Sequence, residues 1–258
     1  MTDPGRTIRI MGILNLNGDS FYAPSRYGMS ILEDGPDILD IGAVSTRPGA
    51  AEVSEADEWS RLKPVLRTLG SGVTVSIDTT RSGIVERACD LLGRPVIVND
   101  ISAGEDDPDM LSVVGRMGLE YVAMHKRGTP ATMQSLCDYD DVVAEVAEYF
   151  RAFAVKAWDN GVSDWILDPG FGFAKNVEQN YQLMEGLEVL SALGRPVLVG
   201  ISRKSFIYKP LGLDPEGVLT ATQVMHMAAL ERGADILRVH DVAAARQTMV
   251  LYRMLHGC

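Results

Sequence analysis

Cysteine is scarce: there are three in 258 residues, Cys89, Cys137 and Cys258, far apart and never as C-x-x-C. That spacing argues against a disulfide framework and a thiolate zinc site, so the thiols are read as reduced. Basic charge is also short, with 24 Lys and Arg against 35 Asp and Glu and a net charge of −11. A chain this acidic lacks the cations that displace counterions from a phosphate backbone, so neither nucleic acid nor a membrane surface is an expected partner. No apolar run approaches the roughly 20 residues that span a bilayer, and the run from Ile8 to Leu14 is too short and wrongly flanked for a signal peptide. The cytoplasm is the expected location. The phosphate-binding glycine fingerprints of open α/β sheets are missing, and so is any linker or shift of composition along the chain.

What is present is a recurring pattern. Short runs rich in Ile, Val and Leu start at Ile8, Ile38, Val73, Val96, Tyr121, Trp165, Val197 and Ile236 and end at Leu14, Gly42, Ile77, Val98, Met124, Leu167, Ile201 and Val239. Their length and β-branching predict eight buried parallel strands. Helical periodicity lies between them: Val143, Val146, Phe150, Phe153, Ala154 and Ala157 recur at spacings of three and four, closed by Gly161. Further helices are predicted over residues 55–69, 82–92, 107–117, 179–193, 215–232 and 243–255. Eight strand–helix units without a linker predict an α/β fold, a single (β/α)8 TIM barrel over residues 1–258. The first helix should be stunted, since a loop over residues 15–27 leaves only 28–35 for it.

Barrel enzymes carry their chemistry where the strands end. Each run here stops at a group able to bind something: Asn15; Ser45, Thr46 and Arg47; Asp78; Asn99 and Asp100; His125; Asp168; Ser202, Arg203 and Lys204; Arg238, His240 and Asp241. Singly, these have dull explanations, since Asp78 before Thr79 and Asp168 before Pro169 fit helix caps or turns. Together they outline one rim. Asp168 and Asn99 offer paired hydrogen bonds to a flat, amidine-like heterocycle, while Lys204, Arg238 and His240 offer donors and charge to an anion. A planar ring bearing phosphate satisfies both sets. His125 is read as structural, Arg203 as a loop or salt-bridge residue, and the acidic stretch from Glu105 to Asp109 as a solvated helix start.

Eight ordered blocks carry a family resemblance: MGILNLNGDSF from Met11, DIGAVSTRPGA from Asp40, SIDT from Ser76, VNDISAG from Val98, MHKRGTPATMQ from Met124, LDPGFGF from Leu167, GISRKSFI from Gly200 and RVHDV from Arg238. They resemble the dihydropteroate synthases across nearly the whole chain. The resemblance implies a transferase of folate synthesis that joins 6-hydroxymethyl-7,8-dihydropterin diphosphate to 4-aminobenzoate. It further implies a pterin pocket of Asp78, Asn99, Ile101, Met124, Asp168, Phe173, Gly200, Lys204 and Arg238, with Asp78, Asp168, Lys204 and Arg238 carrying catalysis. By the same resemblance Asn15, Arg238 and His240 hold the diphosphate and Asn15 lies near Mg²⁺. Thr46, Arg47, Pro48, Phe173, Lys204 and Ser205 frame the aminobenzoate, and the protein is a homodimer through its later helices.

Loop one departs from the family's N-x-T-P-D-S-F-x-D. Asn17 and Gly18 replace Thr-Pro, Ala23 replaces the second Asp, and Val44 stands where Glu is common in loop two. Losing proline frees φ, and losing the carboxylate removes a group expected to stabilise a cation. Two other readings follow: a paralogue that binds pterin diphosphate but condenses it poorly, and a pterin methyltransferase of the methyltetrahydrofolate type. STRPG and SRKSF count against the latter.

Overall fold

The structure is a computed structural model in which residues 6–16, 31–44, 53–129 and 132–257 are described. Eight strands are present: β1 Arg9–Asn15, β2 Ile38–Gly42, β3 Val75–Asp78, β4 Ile97–Asp100, β5 Tyr121–Met124, β6 Trp165–Asp168, β7 Leu198–Val199 and β8 Ile236–Val239. All pair in parallel in the order β6-β5-β4-β3-β2-β1-β8-β7. A parallel bridge between Leu167 and Val197 brings β6 to β7 and closes the ring. This is the predicted (β/α)8 barrel.

Helices follow most strands: α1 Glu55–Leu66, α2 Ser82–Leu92, α3 Met110–Met117, α4 Val142–Asp159, α5 Val177–Glu185, α6 Leu187–Ser191, α7 Ser205–Tyr208, α8 Leu219–Glu231 and α9 Val242–His256. Several starts follow from local chemistry. Ser54 accepts from the Asp57 amide, Asp141 from the amides of Val143 and Ala144, and Asn176 forms a capping box with Gln179. The stunted first helix falls mostly outside the described residues, of which 31–33 are helical.

Three expectations are corrected. The helix predicted over 179–193 is two helices that meet at Gly186, where the chain leaves helical geometry and a Cβ would meet a Val143 methyl at 2.6 Å. The acidic stretch before α3 is not its first turn; Pro108 disfavours helical backbone at Asp107. Asp107 instead accepts from the Ser82 amide at the start of α2 at 2.7 Å, and Asp106 pairs with Lys126 at 2.9 Å. Strand seven is shorter than predicted, since the ladder stops at Val199 and frees Gly200 and Ile201 from pairing.

The barrel interior explains where polar groups can stand. Met11, Ile38, Ile97, Val122, Ile166, Leu198 and Ile236 form a buried apolar cluster of their own, a floor distinct from the core under the helices. Side chains alternate along a strand, so the next inward position is two residues on. That step gives Ile13, Asp40, Asn99, Met124, Asp168, Gly200 and Arg238. A polar storey therefore sits on an apolar floor, toward the C-terminal mouth.

Candidate active site

Arg238 stands at the centre of this storey. Its Nε donates to Asp40 Oδ2 and its Nη2 to Asp78 Oδ2, each at 2.7 Å. Two carboxylates gripping two edges fix the plane of the guanidinium, which a point-charge ammonium could not match. Asp40 also accepts from Asn99 Nδ2 at 3.0 Å, so Asn99 keeps its carbonyl oxygen as an acceptor. Asp40 is fully buried, while Arg238 and Asp78 keep 22% and 17% of their side chains exposed toward the mouth. Burial and the neighbouring carboxylates push Asp78 up to about 7 against the pull of Arg238.

Across the barrel, β6 delivers Asp168, buried at the head of a glycine-rich turn. Its Oδ1 accepts from the Gly170 amide at 2.8 Å, which bears out the turn reading. Burial raises its pKa, opposed by Lys204, the Gly170 N–H, Arg238 and Lys175. Lys204, at the start of α7, faces Asp168; its Nζ lies 4.7 Å from the centre of the Phe173 ring and donates to the Phe171 carbonyl. Burial pushes Lys204 down to about 8 despite Asp168. Asp168, Lys204 and Arg238 thus converge on one cup.

The turn itself is built for close approach. Gly170 has φ +70°, and a Cβ on it would lie 1.9 Å from the His125 carbonyl oxygen. We expect Gly170→Ala to destabilise the protein by more than about 2 kcal/mol, through a left-handed backbone and a backbone clash that no rotamer relieves. Denaturant unfolding checks this, and an unchanged midpoint would contradict the geometry.

Other predicted residues sit around the cup. Asn15 is exposed at the end of β1, Met124 ends β5, and Ile101 and Ser205 are half-buried in the turns after β4 and at the head of α7. His240 follows β8, with Nδ1 3.1 Å from Ser202 Oγ. Arg203 makes a two-pronged pair with Asp241 at 2.7 and 2.9 Å, tying the Lys204 loop to the start of α9. Asp100 turns away from the mouth and accepts from Ser102 at both N and Oγ, from the Gly104 amide and from the Tyr121 hydroxyl. Thr46, Arg47 and Pro48, and the substitutions at Asn17, Gly18 and Ala23, lie outside the described residues.

The sequence analysis missed two groups. Asp40 lies inside an apolar run, although a carboxylate among Ile, Leu and Ile is itself a signal that a buried cation must meet it. Lys175 follows the turn and is buried; its Nζ lies 3.0 Å from His125 Nδ1 and 3.1 Å from the carbonyls of Gly170 and Phe173. Burial pushes Lys175 down to about 7.

The chain is similar to known proteins in both sequence and fold. The family described as Pterin binding enzyme matches residues 11–240. Dihydropteroate synthase of Synechocystis sp. is 40% identical over 95% of this chain and 89% of its own length. The crystal structure of Yersinia pestis dihydropteroate synthase with a sulfonamide drug superposes with a TM-score of 0.90 at 33% identity, covering 100% of this chain and 97% of that one. That of the Thermus thermophilus enzyme in complex with 4-aminobenzoate gives 0.85 at 39% identity, covering 98% and 96%.

Proposed function

The chain belongs to the dihydropteroate synthases among the pterin-binding enzymes, and from that premise we propose how its own residues do the work. The reaction condenses 6-hydroxymethyl-7,8-dihydropterin diphosphate with 4-aminobenzoate, giving 7,8-dihydropteroate and diphosphate for folate synthesis. The observation that carries the reading is the cup itself, where the Asp40–Arg238–Asp78 clamp and the buried Asp168, within the field of Lys204, meet over an apolar floor.

In this reading Asp78, Asn99 and Asp168 take the polar edges of the pterin, Lys204 lies by its carbonyl oxygen and N5, and Arg238 lies flat on its face. Ile101, Met124, Phe173 and Gly200 complete the pocket. Asn15, Arg238 and His240 hold the diphosphate; Thr46, Arg47, Pro48, Phe173, Lys204 and Ser205 frame the aminobenzoate. Departure of diphosphate leaves a cation spread over the pterin, which the aniline nitrogen attacks, so no nucleophile on the protein is required. The tasks left to the chain are charge stabilisation, orientation and exclusion of water.

Magnesium fits this donor set as a substrate-borne ion. Mg²⁺ prefers phosphate oxygens, waters and one or two protein oxygens. Among the described residues no three His, Cys, Asp or Glu cluster to cage a metal, and the exposed Asn15 would hold the ion through its amide oxygen. When bound, Mg²⁺ neutralises the leaving diphosphate.

We read the protein as one cytoplasmic barrel domain over residues 1–258 that pairs with a second copy. Exposed Val224 on α8, with Val250, Leu251, Met254 and Leu255 on α9, supports that pairing. No helix among the described residues is long and apolar enough to cross a membrane.

The direct test is steady-state diphosphate release with and without 4-aminobenzoate. Release that depends on 4-aminobenzoate and matches dihydropteroate formation is expected; tight pterin binding without turnover would identify the weakened paralogue instead. The cup also predicts a pH profile. If pterin N–H donors need ionised Asp78 and the pterin oxygen needs protonated Lys204, kcat/KM rises as pH passes about 7 and falls as it passes about 8. In Asp78→Asn the rising limb near pH 7 should be lost or move to lower pH, and a limb that stays put assigns it to another group.

A further inference from the structure

We propose that Lys175 is a positioning residue, whose buried ammonium pins the turn after β6 to the end of β5 and so sets where Asp168 and Phe173 stand in the cup. The proposal rests on the cup being the pterin site.

The turn is a strained piece of chain. Gly170, Gly172 and the non-glycine Ala174 have φ of +70°, +80° and +49°, three left-handed residues within five. Such a conformation persists only where its surroundings over-determine it. Here the Lys175 Nζ supplies much of that constraint by donating to the Gly170 and Phe173 carbonyls from inside the turn. Asn180 adds to it, accepting from the Gly172 amide at 2.7 Å and donating to the Lys175 carbonyl at 3.1 Å, beside the Asp168 contact to the Gly170 amide.

The third ligand of the ammonium is His125 Nδ1 at 3.0 Å. While Lys175 is protonated its ammonium has no lone pair, so Nδ1 must accept and the neutral ring must carry its proton on Nε2. Burial and the nearby cations Lys175 and Arg127 hold the ring neutral, with its pKa down at about 2. Tyr149 meets it edge-on at 4.9 Å and Tyr139 at 6.3 Å. A methionine would fill this space without the cost of burying a charge. The charge therefore has a use, and two of its partners are the carbonyls of the turn that presents Phe173. The titratable groups facing Lys175 are His125 and Arg127 beyond β5, Asp168 from β6, Lys204 from α7 and Cys137. Asp168 is the only carboxylate in that set.

The experiment compares the full-length wild type with K175M in three measurements: equilibrium binding of pterin diphosphate from pH 5.5 to 9, thermal unfolding, and ¹⁵N-histidine spectra. K175M should bind pterin diphosphate at least about tenfold more weakly at pH 6, where the wild-type lysine is charged, while remaining folded. The gap between wild type and K175M should narrow as pH rises past about 7, where the wild-type lysine itself loses its charge, a pH dependence that loss of packing alone would not give. Wild-type His125 should show an unprotonated Nδ1 at pH 5.5 to 6, where Lys175 carries its charge. Binding within twofold of wild type at every pH would overturn the proposal. So would a proton on wild-type Nδ1 at pH 5.5 to 6, a measurement that stands even if K175M does not fold. Failure of the wild type to bind pterin diphosphate would sink the functional reading instead, while the His125 spectrum still reports on the Lys175 contact.

Discussion

Lys204→Ala is expected to lower turnover at least ~10²-fold with little change in folding stability, on the scale of losing one preorganised electrostatic partner. Both halves of that expectation come from where the side chain sits. Lys204 begins a four-residue helix at the rim and belongs to neither apolar cluster, so its loss opens no cavity in the core. Its Nζ faces Asp168, lies against Phe173 and bonds the Phe171 carbonyl. Removing it leaves Asp168 with a weaker field and the Phe173 ring without its cation. Steady-state kinetics with both substrates, paired with a denaturant titration, checks the prediction. Turnover within tenfold of wild type would remove Lys204 from the chemistry.

Asp40→Ala should be nearly as damaging to activity and worse for folding. Asp40 is the wholly buried half of an ion pair, and removing one partner of such a pair typically costs about 3–5 kcal/mol. Asp78 remains beside Arg238 and part of Arg238 reaches solvent, so a loss near the lower end, about 3 kcal/mol, is expected. Asn99 also loses its acceptor. With one edge released, the guanidinium can rotate out of the plane proposed to meet the pterin. Pterin affinity should therefore fall by more than about tenfold even under conditions where the variant is folded. Equilibrium unfolding and direct binding measure the two effects separately. A variant that unfolds more easily but binds pterin normally would reduce Asp40 to a structural counter-ion.

The barrel was legible because its strands repeat one signal. A parallel strand covered on both faces must be apolar along its length, and eight such runs separated by amphipathic segments leave few alternatives. Asp78, Asn99, Asp168, Lys204 and Arg238 were legible for a related reason, because polar side chains stand out where apolar runs end. Asp40 was hidden by the same rule, since it lies within a strand rather than after it. Only the two-residue step from Ile38, set beside the step from Ile236 to Arg238, puts the two charges at one height. Lys175 gave even less signal: a lysine after a glycine-rich turn reads as exposed, and its inward course depends on carbonyls presented by left-handed backbone. The glycine at the break, position 186, packs against Val143 on another helix, a contact that local periodicity does not contain.

The most direct test of the account is a crystal of this protein soaked with pterin diphosphate, Mg²⁺ and 4-aminobenzoate. The bicyclic ring should lie in the barrel mouth with polar edges in hydrogen-bond contact with Asp168, Asn99 and Asp78, its face on Arg238 and its diphosphate toward Asn15 and His240. A ring bound elsewhere, or one in the mouth that touches neither Asp168 nor Arg238, would contradict it.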